Sequence, residues 1–188
     1  GNTNYASYSQ INVQNQWDIS DWPCFSKFYI TFPLDTLPKG KTIISAKLSM
    51  TLFGNAGGGN WGDPPDSFIQ VLTVNDIWDE AKLTWNNAPL AQENIAGIWV
   101  KPRDYSLYYE TYTWEIRPAV ETAYNSGQPL RLALYSADGE QHTGKYFWTS
   151  DSTDWDGNIR PTLEIVWGDD CSAPGITCHF QYLPLTSR

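Results

Sequence analysis

The side chains best suited to binding chemistry in this sequence are aromatic rings in loop-like surroundings. Trp22 precedes a proline, Trp61 lies in "GGGNWGDPPD" and Trp155 lies in "DSTDWDGN". A flat ring at such a position can stack on a sugar ring, because a large amphipathic ring buries much area at a low cost in entropy. The alternative is that these three rings fold back as lids over the ends of the protein core.

The segment 101–115, "KPRDYSLYYETYTWE", concentrates tyrosines and contains few aliphatic residues. Three roles fit this composition: a protein interface, a glycan-binding face and the outer half of an edge strand. We include one residue of this segment in the predicted carbohydrate-binding set, which consists of Trp22, Trp61, Trp155 and Tyr108.

Residues 151–158, "DSTDWDGN", combine three aspartates with one asparagine. Oxygen ligands alternate in a similar way along tight calcium-binding loops. A structural Ca²⁺ is therefore predicted, with the ligands Asp151, Asp154, Asp156 and Asn158, and no other cofactor is expected. The segment lacks the distant bidentate glutamate of a complete calcium loop, and aspartate and asparagine also favour turns for backbone reasons alone.

The sequence contains no nucleophile triad motif, phosphate-binding loop or zinc-ligand spacing. Asp79, Glu80 and the aspartates of 151–156 are candidates for the carboxylate pair of a glycoside hydrolase. The "WDE" triplet at 78–80 fits a structural role better, because Glu80 can hydrogen-bond the start of a short helix. We therefore predict a non-catalytic protein.

Three cysteines leave the disulfide pattern open. Cys171 and Cys178 flank "SAPGIT", whose Pro-Gly pair is a turn signal, so these two residues are predicted to form a disulfide in an oxidising compartment. Cys24 is then a buried free thiol or pairs with another chain. Pairing of Cys24 with either of the other two cysteines is also compatible with the sequence.

Composition and charge narrow the class of partner. The formal net charge of -9 excludes nucleic acid and anionic membrane surfaces, which need a basic face. No apolar run is long enough to span a bilayer, so membrane insertion is not expected. Ten Trp, eleven Tyr and seven Phe against twelve Lys plus Arg favour a secreted β domain, located outside the cell or at its surface.

Period-two alternation of apolar residues dominates the chain and predicts half-buried strands. Helical spacing is confined to 79–85 and 117–127, the second with Pro118 at its start and Gly127 after its end. The predicted fold is all-β, an antiparallel, jelly-roll-like β-sandwich with one or two short helices in loops. The predicted strand segments are 9–14, 27–34, 43–53, 66–76, 112–116, 130–136, 145–150 and 161–167.

The order of four segments is more specific than any one of them. "FYITFPLDTLPKGKTIISAKLSMTLF", "IWDEAKLTWNNAP", "YTWEIRPAVETAYNSGQPLRLALYS" and "FWTSDSTDWDGNIRPTLEIVW" follow one another. This order resembles the DNRLRE-type β-sandwich domain, which is related to carbohydrate-binding modules and to the disaggregatase-associated repeats of cell-surface proteins. The resemblance covers about residues 2–167. Core or inter-sheet packing is expected of the tryptophans that lie in predicted strands or in the family's motif, namely Trp78, Trp85, Trp114, Trp148 and Trp167.

One departure from this family concerns the two ends of the chain. Such domains open with a strand before an "N-x-N-Y-G" turn, whereas this sequence begins at that turn, "GNTNYAS". A strand-like run, "TCHFQYLPLTSR", instead follows the last expected strand. The interpretation is a sandwich over 1–168 that lacks its first strand, and an extension over 169–188 with a donor-type strand.

Two functions follow from this interpretation. The first is a structural module whose C-terminal strand completes the sheet of the next copy, which joins subunits head to tail into a filament. The strand-donating residues would be Cys178, Phe180, Tyr182, Leu183 and Leu185, and the partners copies of the same chain. The second is a carbohydrate-binding module with a polysaccharide partner, which predicts that the tail folds back onto its own sheet.

Overall fold

The computed structural model describes residues 1–15, 25–58, 60, 62–137, 143–152 and 159–169, and the backbone of 181–186. This part of the chain forms ten strands, one α-helix and a 3-10 helix at Glu80–Lys82. The α-helix, α1, spans Arg117–Ser126. The strands are β1 (Gln10–Val13), β2 (Phe28–Phe32), β3 (Thr42–Asn55), β4 (Ser67–Thr73), β5 (Asn94–Val100), β6 (Glu110–Glu115), β7 (Leu130–Ser136), β8 (Lys145–Trp148), β9 (Thr162–Gly168) and β10 (Gln181–Thr186).

The described strands form two antiparallel sheets, so the predicted all-β sandwich is confirmed. The first sheet has the order β1-β8-β3-β9-β10, and β6 also pairs with β3. The second has the order β2-β7-β4-β5. The long β3 makes this arrangement possible, because β9 pairs with its first half and β8 with its last residues.

The core lies between the two sheets and consists of alternate residues from nearly every strand. On β3, Leu48 and Met50 are buried, while Ser49 between them lies on the outer face and is only half-buried. Trp114 of β6 is fully buried, and its indole Nε1–H donates to the carbonyl oxygen of Ile69 at 3.0 Å. Because Ile69 belongs to β4, this hydrogen bond ties one sheet to the other.

Helix α1 begins and ends where its sequence predicts. Pro118 lies in the first turn, and Ala119 and Val120 are buried. Gly127 follows with a φ of 65°, in the left-handed region that favours glycine after a helix, and its N–H donates to the carbonyl oxygen of Tyr124.

Three local features differ from what the sequence predicts. Strict alternation back from Leu48 predicts that Ile44 faces the core, but a register shift at that point leaves it exposed and places Ile43 in the core. The helix expected over 79–85 is reduced to the three-residue 3-10 helix. The sequence pattern also missed β5, an edge strand that contains Gly97.

The strand at the C-terminal end, β10, pairs antiparallel with β9 of its own chain, from Gln181 opposite Trp167 to Thr186 opposite Thr162. This is the arrangement that the binding-module hypothesis predicts. Tyr182, Leu183 and Leu185 belong to β10. Cys24, Cys171, Cys178 and Phe180 lie outside the described residues, so both the disulfide and the donation of this strand to another copy stay predictions.

None of the helices among the described residues has the length and apolar character needed to cross a membrane.

Candidate functional site

A cleft of about 960 Å³ lies along the open edge of the sandwich, where the edge strands β1 and β2 approach each other. Gln14 and Ser26 join the two edges by a pair of backbone hydrogen bonds of 3.0 Å. The described walls come from four separated parts of the chain, 1–12, 25–31, 78–88 and 149–151. The cleft therefore exists only in the folded protein.

Aromatic rings line much of the cleft. Tyr5 and Tyr8 meet edge to face with ring centroids 5.1 Å apart and are 60% and 53% exposed. Phe25 and Trp85 meet in the same way at 4.8 Å, and Tyr29 packs on Trp78. Rings in such pairs hold one another in place, so the aromatic surface that they present to the cleft is preorganised for a ligand.

Lys27 places a cation against this aromatic wall. Its Nζ atom lies 4.6 Å from the centroid of the Trp85 ring and 4.9 Å from that of Tyr135, and it donates to the hydroxyl of Tyr135 at 3.1 Å. The Tyr29 hydroxyl donates to the carbonyl oxygen of Pro89 at 2.7 Å, and burial raises the pKa of this phenol. Tyr29 therefore stays a neutral hydrogen-bonding group across the physiological pH range.

Two carboxylates, those of Glu80 and Asp151, line the cleft from separate segments of the chain. Burial raises the pKa of Glu80, and the negative charge of Asp151 raises it further. Their neighbour Asp79 acts differently: its carboxylate accepts from the N–H of Ala81 and pairs with Lys82, and the hydrogen bond from Lys82 lowers its pKa. Asp79 is thus the N-terminal cap of the 3-10 helix, whereas Glu80 and Asp151 are acceptors available in the cleft.

Asparagine side chains fix the wall that carries Glu80 and Trp85. Asn87 accepts from the backbone N–H and hydroxyl of Thr84 and donates to the carbonyl oxygen of Lys82. Asn4 donates to the carbonyl oxygens of Glu80 and Leu83 at 2.8 and 2.6 Å. These bonds attach the N-terminal segment to the 78–88 loop and set the width of the cleft at that end.

The structure brings together only part of the predicted site. Asp151, predicted as a calcium ligand, lies in the cleft, and the described residues contain no cluster that could hold a metal ion. Tyr108 lies elsewhere, on the 101–109 loop, where it is 86% exposed. The remaining predicted sugar-binding and calcium-binding residues lie outside the described part of the chain: Trp22, Trp61, Trp155, Asp154, Asp156 and Asn158.

Several cleft residues were missed by the sequence reasoning. Trp78 and Trp85 were assigned to packing, a role that holds for the buried Trp114 and Trp167, but both of the former are half-buried and line the cleft. Tyr5 and Tyr8 lie close to the "GNTNY" turn, whose only signal was its resemblance to the opening of a known domain. Trp148, also expected to serve packing between the sheets, is half-buried on the outer face of β8, where it packs on Phe53 with ring centroids 4.6 Å apart.

Residues 1–166 match the model of carbohydrate-binding module family 96. The chain belongs to this family. The resemblance to a sandwich related to carbohydrate-binding modules is thereby confirmed. The segment that matches family 96 includes every described residue of the cleft, whereas β10 lies beyond that segment.

Membership of family 96 is compatible with a non-catalytic chain, because the family is one of binding modules. No curated protein matches the sequence.

Proposed function

We propose that this chain binds a polysaccharide in the cleft between β1 and β2. The observation that carries the proposal is the lining itself, which combines paired aromatic rings with amide and carboxylate acceptors in one concave site. Its volume of about 960 Å³ falls at the upper end of ligand pockets, which span roughly 300–1,000 Å³. This size suits several sugar units better than a single ring.

The chemistry of the lining matches that of a sugar chain. A pyranose ring has apolar C–H faces, which gain from contact with rings such as Tyr5, Tyr8 and Trp85. Its hydroxyl groups both donate and accept hydrogen bonds, and they find the carboxylates of Glu80 and Asp151 and the amides of Gln10 and Asn12 nearby. Apolar contact supplies affinity and the polar groups select the orientation.

Charge distinguishes classes of polysaccharide. The protein carries a formal net charge of -9, and two carboxylates face a single lysine in the described part of the cleft. A neutral polysaccharide is therefore expected to bind with little dependence on salt. A polyanionic one is expected to bind more tightly as added salt screens the repulsion.

The test is titration calorimetry and affinity electrophoresis against a panel of cellulose, xylan, mannan, chitin and polyuronate preparations. At least one is expected to bind, and Tyr8→Ala and Trp85→Ala are each expected to weaken that binding at least tenfold, about 1.4 kcal/mol. Trp99→Ala is the matched control, because Trp99 is 60% exposed but lies on β5, at the opposite edge of the second sheet from β2 and the cleft. Binding that both cleft variants retain while folded contradicts this location, and failure of the whole panel contradicts the function.

The proposal includes a location outside the cell or at its surface, where polysaccharides are met. Head-to-tail assembly by strand donation stays a separate prediction. Its test is deletion of residues 177–188: a shortened chain that is as monomeric and as stable as the full chain would contradict strand donation, and polysaccharide binding would be unaffected by that outcome.

A further inference from the structure

A second aromatic site lies on the outer face of the first sheet. It is a depression of about 280 Å³ against β3 and β8, under the loop that leads into β6. Phe53 and Trp148 form its floor, with ring centroids 4.6 Å apart. Tyr105, Tyr108 and Tyr109 of the loop form its rim.

The loop over this depression is held from within by Arg103, whose side chain is only 8% exposed. Its guanidinium donates to the carbonyl oxygens of Leu107 at 2.7 Å and Tyr108 at 3.2 Å, and also to that of Asp104. It pairs in addition with the carboxylate of Glu110 at 3.3 Å. A rigid loop that nevertheless displays Tyr105 and Tyr108 to solvent is prepared for a partner, because little ordering entropy remains to be lost on binding.

The depression adjoins the cleft. Trp148 of β8 lies directly opposite Gln10 of β1, and Gln10 lines the cleft. The next residue, Thr149, donates from its hydroxyl to the carbonyl oxygen of Tyr8 at 2.7 Å and from its N–H to that of Ser9. Since neighbouring strands lie about 4.8 Å apart, only one strand spacing separates the two sites.

We propose that the depression is a second subsite for the same polysaccharide chain, which crosses β1 and β8 from one site to the other. The ligand is then an interior stretch of a long chain rather than a chain end or a short oligosaccharide. This inference rests on the proposed function of the cleft. The depression suits a sugar ring rather than a protein, because about 280 Å³ is a small pocket and a stable protein contact buries roughly 800 Å² on each partner.

Linkage of two subsites through one ligand has a measurable consequence. Once the cleft is occupied, the second contact is made within the complex, at an effective concentration in the millimolar range for a short connection. Even a weak second subsite therefore raises the affinity for a ligand long enough to reach it. Affinity is expected to rise by at least tenfold between oligosaccharides that fill the cleft alone and those that span both sites.

The experiment is calorimetry of the full chain with size ladders of cello-, xylo- and chito-oligosaccharides, chosen by the polysaccharide that binds. The perturbed protein is the double variant Tyr105→Ala/Tyr108→Ala, whose replaced rings are largely in solvent, and the control is Trp99→Ala. The double variant is expected to bind short oligosaccharides as the unmodified chain does and to lose the step in affinity with length. A longer ligand also offers more positions at which the cleft can bind, so affinity rises gradually with length in the unmodified chain and in the double variant alike.

Three outcomes would overturn the inference. If the affinity of the unmodified chain shows no step as oligosaccharide length increases, there is no second subsite. A double variant that keeps the step places the additional contact elsewhere. If the unmodified chain self-associates in sedimentation experiments and Tyr108→Ala abolishes this, the depression binds a second copy of the chain. Failure of the proposed function is distinct, since in that case no oligosaccharide of any length binds.

Discussion

Replacement of Arg103 by methionine tests whether the rim of the second aromatic site is rigid. The variant keeps a long side chain but removes the guanidinium, which holds three carbonyl oxygens and the Glu110 carboxylate. Glu110 is itself mostly buried, with 15% of its side chain exposed. The substitution therefore leaves a buried carboxylate without its cation.

The magnitude follows from that geometry. Removal of one partner of a buried ion pair costs about 3–5 kcal/mol. Glu110 keeps the N–H of Asp104 at 2.9 Å and the hydroxyl of Tyr112 at 2.8 Å, so the lower limit applies. We expect a loss of about 3 kcal/mol, and a Tm lower by roughly 6–12 °C at about 2–4 °C per kcal/mol for a chain of this size.

Urea unfolding followed by tryptophan fluorescence measures this loss, and a double-mutant cycle with Glu110→Gln isolates the pair. The two substitutions together are expected to lower the free energy of unfolding by less than the sum of their separate effects. The reason is that Glu110→Gln removes the negative charge that Arg103→Met leaves without a partner cation. Arg117→Met is the control. Its pair with Glu121 is exposed and 3.7 Å long, so its loss is expected to stay below about 0.5 kcal/mol.

An Arg103→Met chain within about 1 kcal/mol of the unmodified protein, or a cycle that shows strict additivity, would refute this account of the loop. If the account holds, the same variant should also lose the length-dependent step in oligosaccharide affinity although every tyrosine is still present. That effect would separate the positioning role of Arg103 from the contact role of Tyr108.

Two further predictions concern stability. Glu80→Gln should stabilise the protein near pH 7 and lose this advantage below about pH 4.5, the ordinary pKa of the carboxyl. Because the pKa of Glu80 is raised, the folded protein holds this proton more tightly than the unfolded chain does. The stability of the unmodified protein is therefore full below the pKa of the unfolded state and falls as the pH rises through the pKa of the folded state. Thermal unfolding of both proteins across pH 3–8 measures the difference, and an advantage of the variant that persists at pH 3 contradicts the prediction. Gly127→Ala should cost about 1–2 kcal/mol in urea unfolding because its φ of 65° is left-handed, and a neutral effect would mean that the helix end relaxes.

Much of the fold could be predicted because each strand carries its own local pattern. Alternation identified β3 and β7 within two residues at either end, and Pro118 and Gly127 marked the limits of α1. Periodicity fails where tertiary contacts decide. At Gly97 a Cβ atom would lie 2.6 Å from the ring of Phe68, so β5 contains a glycine for a reason that only its neighbour strand explains.

The bulge in β3 is a second example of this limit. The sequence "TIISAKLSM" allows either Ile43 or Ile44 to face the core, and strict alternation back from Leu48 selects Ile44. The register with β9 shifts between Ile43 and Ser45, which turns Ile43 inward instead. A one-residue choice of this kind depends on the partner strand, and one sequence alone does not contain that information.

The cleft could not be predicted as a unit, since its walls come from four separate segments, 1–12, 25–31, 78–88 and 149–151. Yet the sequence did single out one of those walls, the "WDEAKLTWNNAP" stretch, although for a structural reason. Its polar residues do serve structure: Asp79 caps the 3-10 helix and Asn87 closes the turn after it. The consequence is that Trp85 and Glu80, fixed by that scaffold, face the cleft, so a motif that is specific for the fold also builds the wall of the proposed sugar-binding site.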